Sequence, residues 1–341
     1  MKSNAIKKFF SKTEGYILLI VIVYCIIVAA VNPNFMTPGN FLDLIRSSSW
    51  YWILGFGVLL VLLSGGIDVS YTAIAICSGY VSACVIQRTG IENLAFAFFI
   101  AILIGLWFGA INGFLIHYFR LPTLIATLGT KTIFIGIMAA LVGVEAINTD
   151  HLPAVFKDFG LAKLFTVPTE TGAEYGLSVF FIPLVILGIL TWFILYRTQI
   201  GRSVVALGNS EVSAERAGYN LFKTRMFIYM YVGALAAVAG VIAISDVAWI
   251  APLSSTMIRG TELTIIAALI IGGVKLTGGE GTVFASIIGL LLVRLFETTL
   301  IFLGLTSSWQ NFFTGLVFVA SLSVTSLQRA RKRRRMLLFE E

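Results

Sequence analysis

The sequence predicts an all-α fold, a polytopic helical membrane protein. About ten transmembrane segments are expected, some broken or re-entrant, with both termini cytoplasmic. Three observations carry this. With 58% hydrophobic and 12% charged residues and a mean hydropathy of +0.95, the chain has too little polar surface for a water-soluble domain. Seven or more segments approach the ~20 apolar residues that cross a bilayer. The basic residues behind the net charge of +7 gather in tails and alternate loops, which is positive-inside patterning and not a nucleic-acid signal.

The expected layout is a cytoplasmic tail at 1–15, a transmembrane domain at 16–326 and a basic cytoplasmic tail at 327–341. The domain carries an outer loop at 145–175 and a central inner loop at 197–225. Lys2, Lys7, Lys8 and Lys12 precede the apolar run Tyr16 to Val31. A cleaved signal peptide is one reading of that run, and an uncleaved first span is favoured because the topology requires it. Asn32-Pro33-Asn34 and Pro38-Gly39-Asn40 read as a turn-rich outer loop.

From Trp50 to Ile86 the only charge is Asp68, within Ser64-Gly65-Gly66-Ile67-Asp68-Val69-Ser70. The run barely supplies two crossings of ~20 residues each. Two readings are open: a helical hairpin whose glycine turn lies inside the membrane boundary, or an interfacial turn with Asp68 capping the next helix. Leu94 to Phe119 and Thr123 to Val144 follow as spans, the second carrying Lys131. Leu177 to Tyr196 returns to the central loop, and Met226 to Ser245 goes out again.

Thr261 to Thr277 comes back in and ends in a glycine-rich turn. Val283 to Leu303 carries Arg294 and Glu297, and Ser307 to Thr325 is the last span. Leu62-Leu63-Ser64-Gly65-Gly66-Ile67 is echoed by Leu269-Ile270-Ile271-Gly272-Gly273-Val274, as a repeated broken-helix unit would be.

The central stretch Arg197 to Arg225 holds five basic and two acidic residues. Within it, Ser210 followed by Glu211, Ala214, Glu215 and Ala217 reads as a short capped helix closed by Gly218. An ordinary cytoplasmic loop is one account. A docking surface for a soluble partner explains the glycine-closed helix better. Three- and four-residue spacing puts Ala214, Ala217 and Gly218 on one side as a close-approach face. Glu211 and Glu215 could offer charge-assisted hydrogen bonds.

The chemistry of catalysis is missing from the pattern. No nucleophile–His–acid set, metal-ligand spacing or phosphate-binding lysine loop is visible, and only His117 and His151 occur. Cys25, Cys77 and Cys84 lie in apolar runs and read as packing residues. Asp68, Lys131, Arg294 and Glu297 are either buried pairing partners or groups lining a path. Arg294 and Glu297, three apart, would make a structural ion pair.

Four motifs in order resemble the permease subunit of bacterial ABC importers of the ribose/galactose type. They are Gly65-Gly66-Ile67-Asp68-Val69-Ser70, the Asn209 to Asn220 loop, Glu262-Leu263 with Ile266-Ala267-Ala268, Gly272-Gly273 and Gly278-Gly279, and Ser308-Trp309-Gln310. The similarity covers Asn40 to Val324. Departures occur at Tyr71-Thr72-Ala73, Tyr219, Thr264 and Glu280, and at Ile135, where relatives often carry arginine.

The resemblance implies a non-catalytic membrane subunit with no cofactor of its own, because ATP and Mg are bound by partner ATPase subunits. It implies a second permease copy or related permease, a periplasmic or lipid-anchored substrate-binding protein and contact with membrane lipid. The expected location is the bacterial inner membrane. Glu211, Ala214, Glu215, Arg216, Ala217 and Gly218 then become the expected ATPase-coupling residues. A sugar or related polar solute is the expected cargo, with nucleosides and signalling molecules as alternatives. A stand-alone secondary transporter and a membrane anchor for an enzyme are readings from other classes.

Overall fold

The computed structural model describes residues 13–168, 174–253, 258–300 and 302–304, together with 309, 312, 315, 316 and 319. The expected span Ser307 to Thr325 lies largely outside the described residues. So do the basic tail 327–341 and nearly all of the N-terminal tail.

Twelve α-helices occur among the described residues. The first, α1 (Thr13–Val31), is followed by a 3-10 turn at Pro33–Met36. Its Tyr24 stacks on Phe296 with ring centroids 4.2 Å apart. The next helix, α2, spans Pro38–Leu63, so the expected outer loop is shorter than the proline and asparagine content suggested. Pro38 is pre-set for a first helical turn. The polar residues that follow it are tolerated because they bond to other helices, as Arg46 does to Asp246 at 2.9 Å.

The glycine turn leads into α3 (Tyr71–Thr89), which Gly90 ends in the left-handed region at φ 69. Then come α4 (Leu94–Tyr118) and α5 (Thr123–Leu141). The cap on α4 is Asn93, whose side chain accepts from the N–H of Phe96.

The outer loop corrects the all-α expectation. It contains a short helix, α6 (Ala154–Leu161), and an antiparallel hairpin of β1 (Lys163–Pro168) and β2 (Glu174–Ser178). Leu164, Phe165, Thr166 and Val167 with Tyr175 and Leu177 supply the aromatic and branched side chains that suit strands. Leu177 therefore belongs to the hairpin, and the following helix, α7 (Phe181–Arg197), starts later than expected.

A second correction concerns the central loop, which is mostly helical. After α7 the chain bends by 72° into α8 (Gln199–Asn209). Thr198 caps α8 by accepting from the N–H of Gly201 at 3.1 Å. The buried Gly201, Val204 and Leu207 make its inward face. A short α9 (Glu211–Arg216) precedes the long α10 (Leu221–Val247). The last described helices are α11 (Glu262–Ile271) and α12 (Val283–Thr299).

Helix α10 is the centre of the packing, lying against α4, α2 and α3. Lipid tails are as apolar as leucine, so helices in a membrane gain from close backbone approach between small residues. A Cβ on Gly105 would lie 2.2 Å from the carbonyl of Gly233, and one on Gly109 would lie 2.2 Å from that of Tyr229. Among the described residues, α2, α4, α5 and α10 are each long and apolar enough to cross a membrane, and the bent α7–α8 pair makes a fifth only when counted as one span. The fold is thus that of a mostly helical, polytopic membrane protein.

Candidate functional site

The broken segment after α2 is held by side chains. Asp68 and Ser70 are fully buried, and the N–H and Oγ of Ser70 both donate to Asp68 Oδ1 at 2.7 Å. Asn112 Nδ2, from α4, donates to Ser70 Oγ at 2.8 Å. The N–H of Ile67 donates to Thr123 Oγ1 at 2.9 Å and that of Val69 to Thr127 Oγ1 at 3.3 Å. Irregular backbone away from water needs such partners, because an unsatisfied group there costs several kcal/mol. Asp68 organises the turn and is closed inside the chain.

Lys131 meets a partner that the sequence reading did not assign. Its Nζ lies 2.6 Å from Glu262 Oε1, joining α5 to the first turn of α11. Thr72 Oγ1 donates to the same carboxylate oxygen at 2.5 Å, and Tyr71 Oη donates to the Glu262 carbonyl at 3.0 Å. The side chain of Glu262 is 8% exposed and that of Lys131 28%. The departure at Tyr71-Thr72 is therefore built into this cluster. Leu128, three residues before Lys131 on α5, is 50% exposed, so Lys131 stands at the edge of an uncovered helix face. One signal for Glu262 was available: a lysine in an apolar span needs an anion, and few carboxylates lie in apolar stretches.

Arg294 and Glu297 do pair, at 3.1 Å, and both are largely buried. The guanidinium also donates to Ser48 Oγ at 3.1 Å and to the Ser47 carbonyl at 3.0 Å. It lies 5.8 Å from the ring centre of Trp50 and 5.9 Å from that of Tyr51. The pair thus ties α12 to the polar start of α2.

The arm made by α8 and α9 is braced against the body. Ser210 caps α9 by accepting from the N–H of Ser213 at 3.2 Å, and Gly218 closes it at φ 84. Thr224 Oγ1 donates to Ser203 Oγ at 3.0 Å, fixing α8 to α10. Glu211 pairs with Arg225 at 2.7 Å, and Arg225 Nη1 lies 3.3 Å from His117 Nδ1. The orientation of α9 differs from the expected close-approach face. Ala214 is 2% exposed and turned inward, as the apolar side of a two-turn helix resting on its own protein must be. Glu215, Arg216, Ala217 and Gly218 are exposed. Beside them Arg120, Glu211, Glu215, Tyr219 and Arg225 line a polar cavity of about 490 Å³.

A family model described as branched-chain amino acid transport system / permease component matches residues 40–322. The ribose import permease protein of Escherichia coli is 29% identical over 327 residues, covering 93% of this chain and 96% of that protein. That of Haemophilus influenzae is 30% identical over 321 residues, covering 93% and 94%. The autoinducer 2 import system permease protein of Yersinia pseudotuberculosis is 29% identical over 310 residues, covering 91% and 83%. No solved structure matches.

Proposed function

This chain belongs to the branched-chain amino acid transport system / permease component family, and we propose that it forms the membrane path of an ATP-driven importer for a small polyhydroxylated solute. It is an ABC importer permease, a non-catalytic multi-pass subunit of the bacterial inner membrane. The names of the relatives point to ribose or autoinducer 2, or a solute of that kind, as cargo. A second permease copy or close relative completes the path, an ATPase drives it, and a substrate-binding protein feeds it.

The observation that carries this reading is the α8–α9 arm. A capped helix with exposed Glu215, Arg216, Ala217 and Gly218 is braced on the body by the buried Ala214 and by the Glu211–Arg225 pair. A helix so braced, and left uncovered on that side among the described residues, suits contact with a soluble partner. The proposed topology has ten crossings with both ends inside, supported by the basic residues of the arm and tails. Lys131 and Glu262 are the proposed path-lining pair, and Arg294 with Glu297 a structural one.

The test is reconstitution in liposomes with a candidate ATPase and a candidate substrate-binding protein from the same organism. Ribose uptake should require ATP and stay insensitive to proton and sodium ionophores. Uptake driven by an ion gradient without any ATPase would instead establish a secondary transporter.

A further inference from the structure

Three separate chain segments meet in backbone contact beneath the arm. One is the end of α2 at Leu63 and Gly65. The second is the end of α8 at Gly208 and Asn209. The third is the loop after α11 at Gly278 and Gly279. The N–H of Gly279 donates to the carbonyl of Leu63 at 2.9 Å. A Cβ on Gly208 would lie 1.9 Å from that same carbonyl oxygen and 2.7 Å from the Gly279 nitrogen. One on Gly278 would lie 2.6 Å from the nitrogen of Gly65 and 2.9 Å from the Cα of Gly208. One on Gly279 would lie 2.2 Å from Asn209 Oδ1. At Gly208 and Gly278 these contacts are with backbone atoms and leave no room for a side chain, while Gly279 meets the side chain of Asn209. The three segments thus touch through backbone atoms and the Gly279–Leu63 hydrogen bond.

What runs out from this junction gives it meaning. Docking helix α9 begins at Glu211, directly past Asn209 and Ser210. Gly65 opens the turn that holds Asp68. The third segment is stiffened by the Lys275–Glu280 ion pair and by the N–H of Lys275 donating to the carbonyl of Glu280 at 2.9 Å. It joins α11, which carries Glu262, to α12, which carries Arg294. The first of the two echoed glycine turns and the loop that follows the second are therefore clamped to each other and to the arm at one point.

We infer that Gly208, Gly278 and Gly279 are positioning residues for transport, coupling any displacement of α9 directly to the Asp68 turn and to the Glu262 helix. This rests on the reading of α9 as the ATPase contact. A soft, side-chain-filled interface would absorb a small displacement; a backbone junction with a shared hydrogen bond passes it on.

The test uses the full permease complex with its ATPase, in a background lacking Cys25, Cys77 and Cys84, with Ser64→Cys as a reporter in the turn. In the otherwise unaltered complex, trapping the ATPase with ATP and vanadate should change maleimide labelling of that cysteine several-fold. Gly279→Ala should keep the ATPase bound but abolish the change. Adding Asn209→Ala removes the atom that the new methyl meets and should restore it. Gly90→Ala is the control for backbone strain, because Gly90 also sits at positive φ, at 69, with nothing within 4 Å of its would-be Cβ; it should respond normally.

The inference is overturned if Gly279→Ala responds like the parent, or if the parent binds ATPase without any labelling change. It is also overturned if the double variant folds and binds ATPase yet stays silent, or if a folded Gly279→Ala loses the ATPase. Failure of the parent itself to bind ATPase would strike the docking reading as well, and co-purification detects that separately.

Discussion

Breaking the Lys131–Glu262 pair should have asymmetric effects, because the two groups are differently exposed. Lys131→Met leaves Glu262, 8% exposed, with Thr72 as its remaining side-chain donor. An uncompensated charge at that depth costs about 2.5–3.5 kcal/mol. Glu262→Gln keeps an oxygen to accept from Thr72 and strands only Lys131, which is 28% exposed. A lysine so placed can reach water along its flexible stem, which reduces the cost to about 1–2 kcal/mol. The double variant Lys131→Met/Glu262→Gln should recover most of the loss, because it removes both charges and keeps the Thr72 bond. Thermal unfolding of the four proteins in one detergent, followed by fluorescence-detected size exclusion, gives the order. The expected ranking is parent, double variant, Glu262→Gln, Lys131→Met. Strictly additive losses, with the double variant the worst, would refute the claim that the charges exist to neutralise each other. If the pair lines the path, the stable double variant should still lose uptake in ATP-energised liposomes.

Arg294→Met should destabilise more than Glu297→Leu in the same unfolding assay, because Arg294 keeps Ser47, Ser48 and two aromatic faces when its carboxylate is lost. Arg294→Met/Glu297→Leu should be more stable than Arg294→Met alone, and the opposite order would make these residues something other than a structural pair. On the arm, Gly218→Trp should leave the membrane domain folded but prevent ATPase co-purification by steric exclusion. Ala214→Trp should lower the yield of folded permease itself, since it overpacks an inward-facing site by about 1–3 kcal/mol. Full ATPase binding by Gly218→Trp would count against α9 as the contact. Single cysteines at Asp158 and Ser210, in a background free of native cysteine, should label from opposite sides of the membrane; labelling from one side would defeat the proposed topology.

Helix formation and class were legible in the sequence because they depend on local chemistry. The apolar runs, the Ser210 cap and the Gly218 stop each act within a few residues, and α9 forms where they place it. The Ser64–Ser70 break was legible for the same reason, since Gly65 and Gly66 cannot sustain a helix that Asp68 and Ser70 draw into a turn. Long-range pairing was not legible. Lys131 and Glu262 are 131 positions apart and Arg294 and Ser48 are 246 apart, so which cation meets which acceptor follows from how α5, α11, α2 and α12 pack. The same packing explains why α2 starts at Pro38 despite its polar first turns, and why Ala214 faces inward although spacing alone allowed it to face a partner. The backbone junction of Gly208, Gly278 and Gly279 was likewise invisible. Each glycine alone reads as a turn, and only the tertiary structure brings three chain segments so close that a side chain on any of them would collide with another's backbone or side chain.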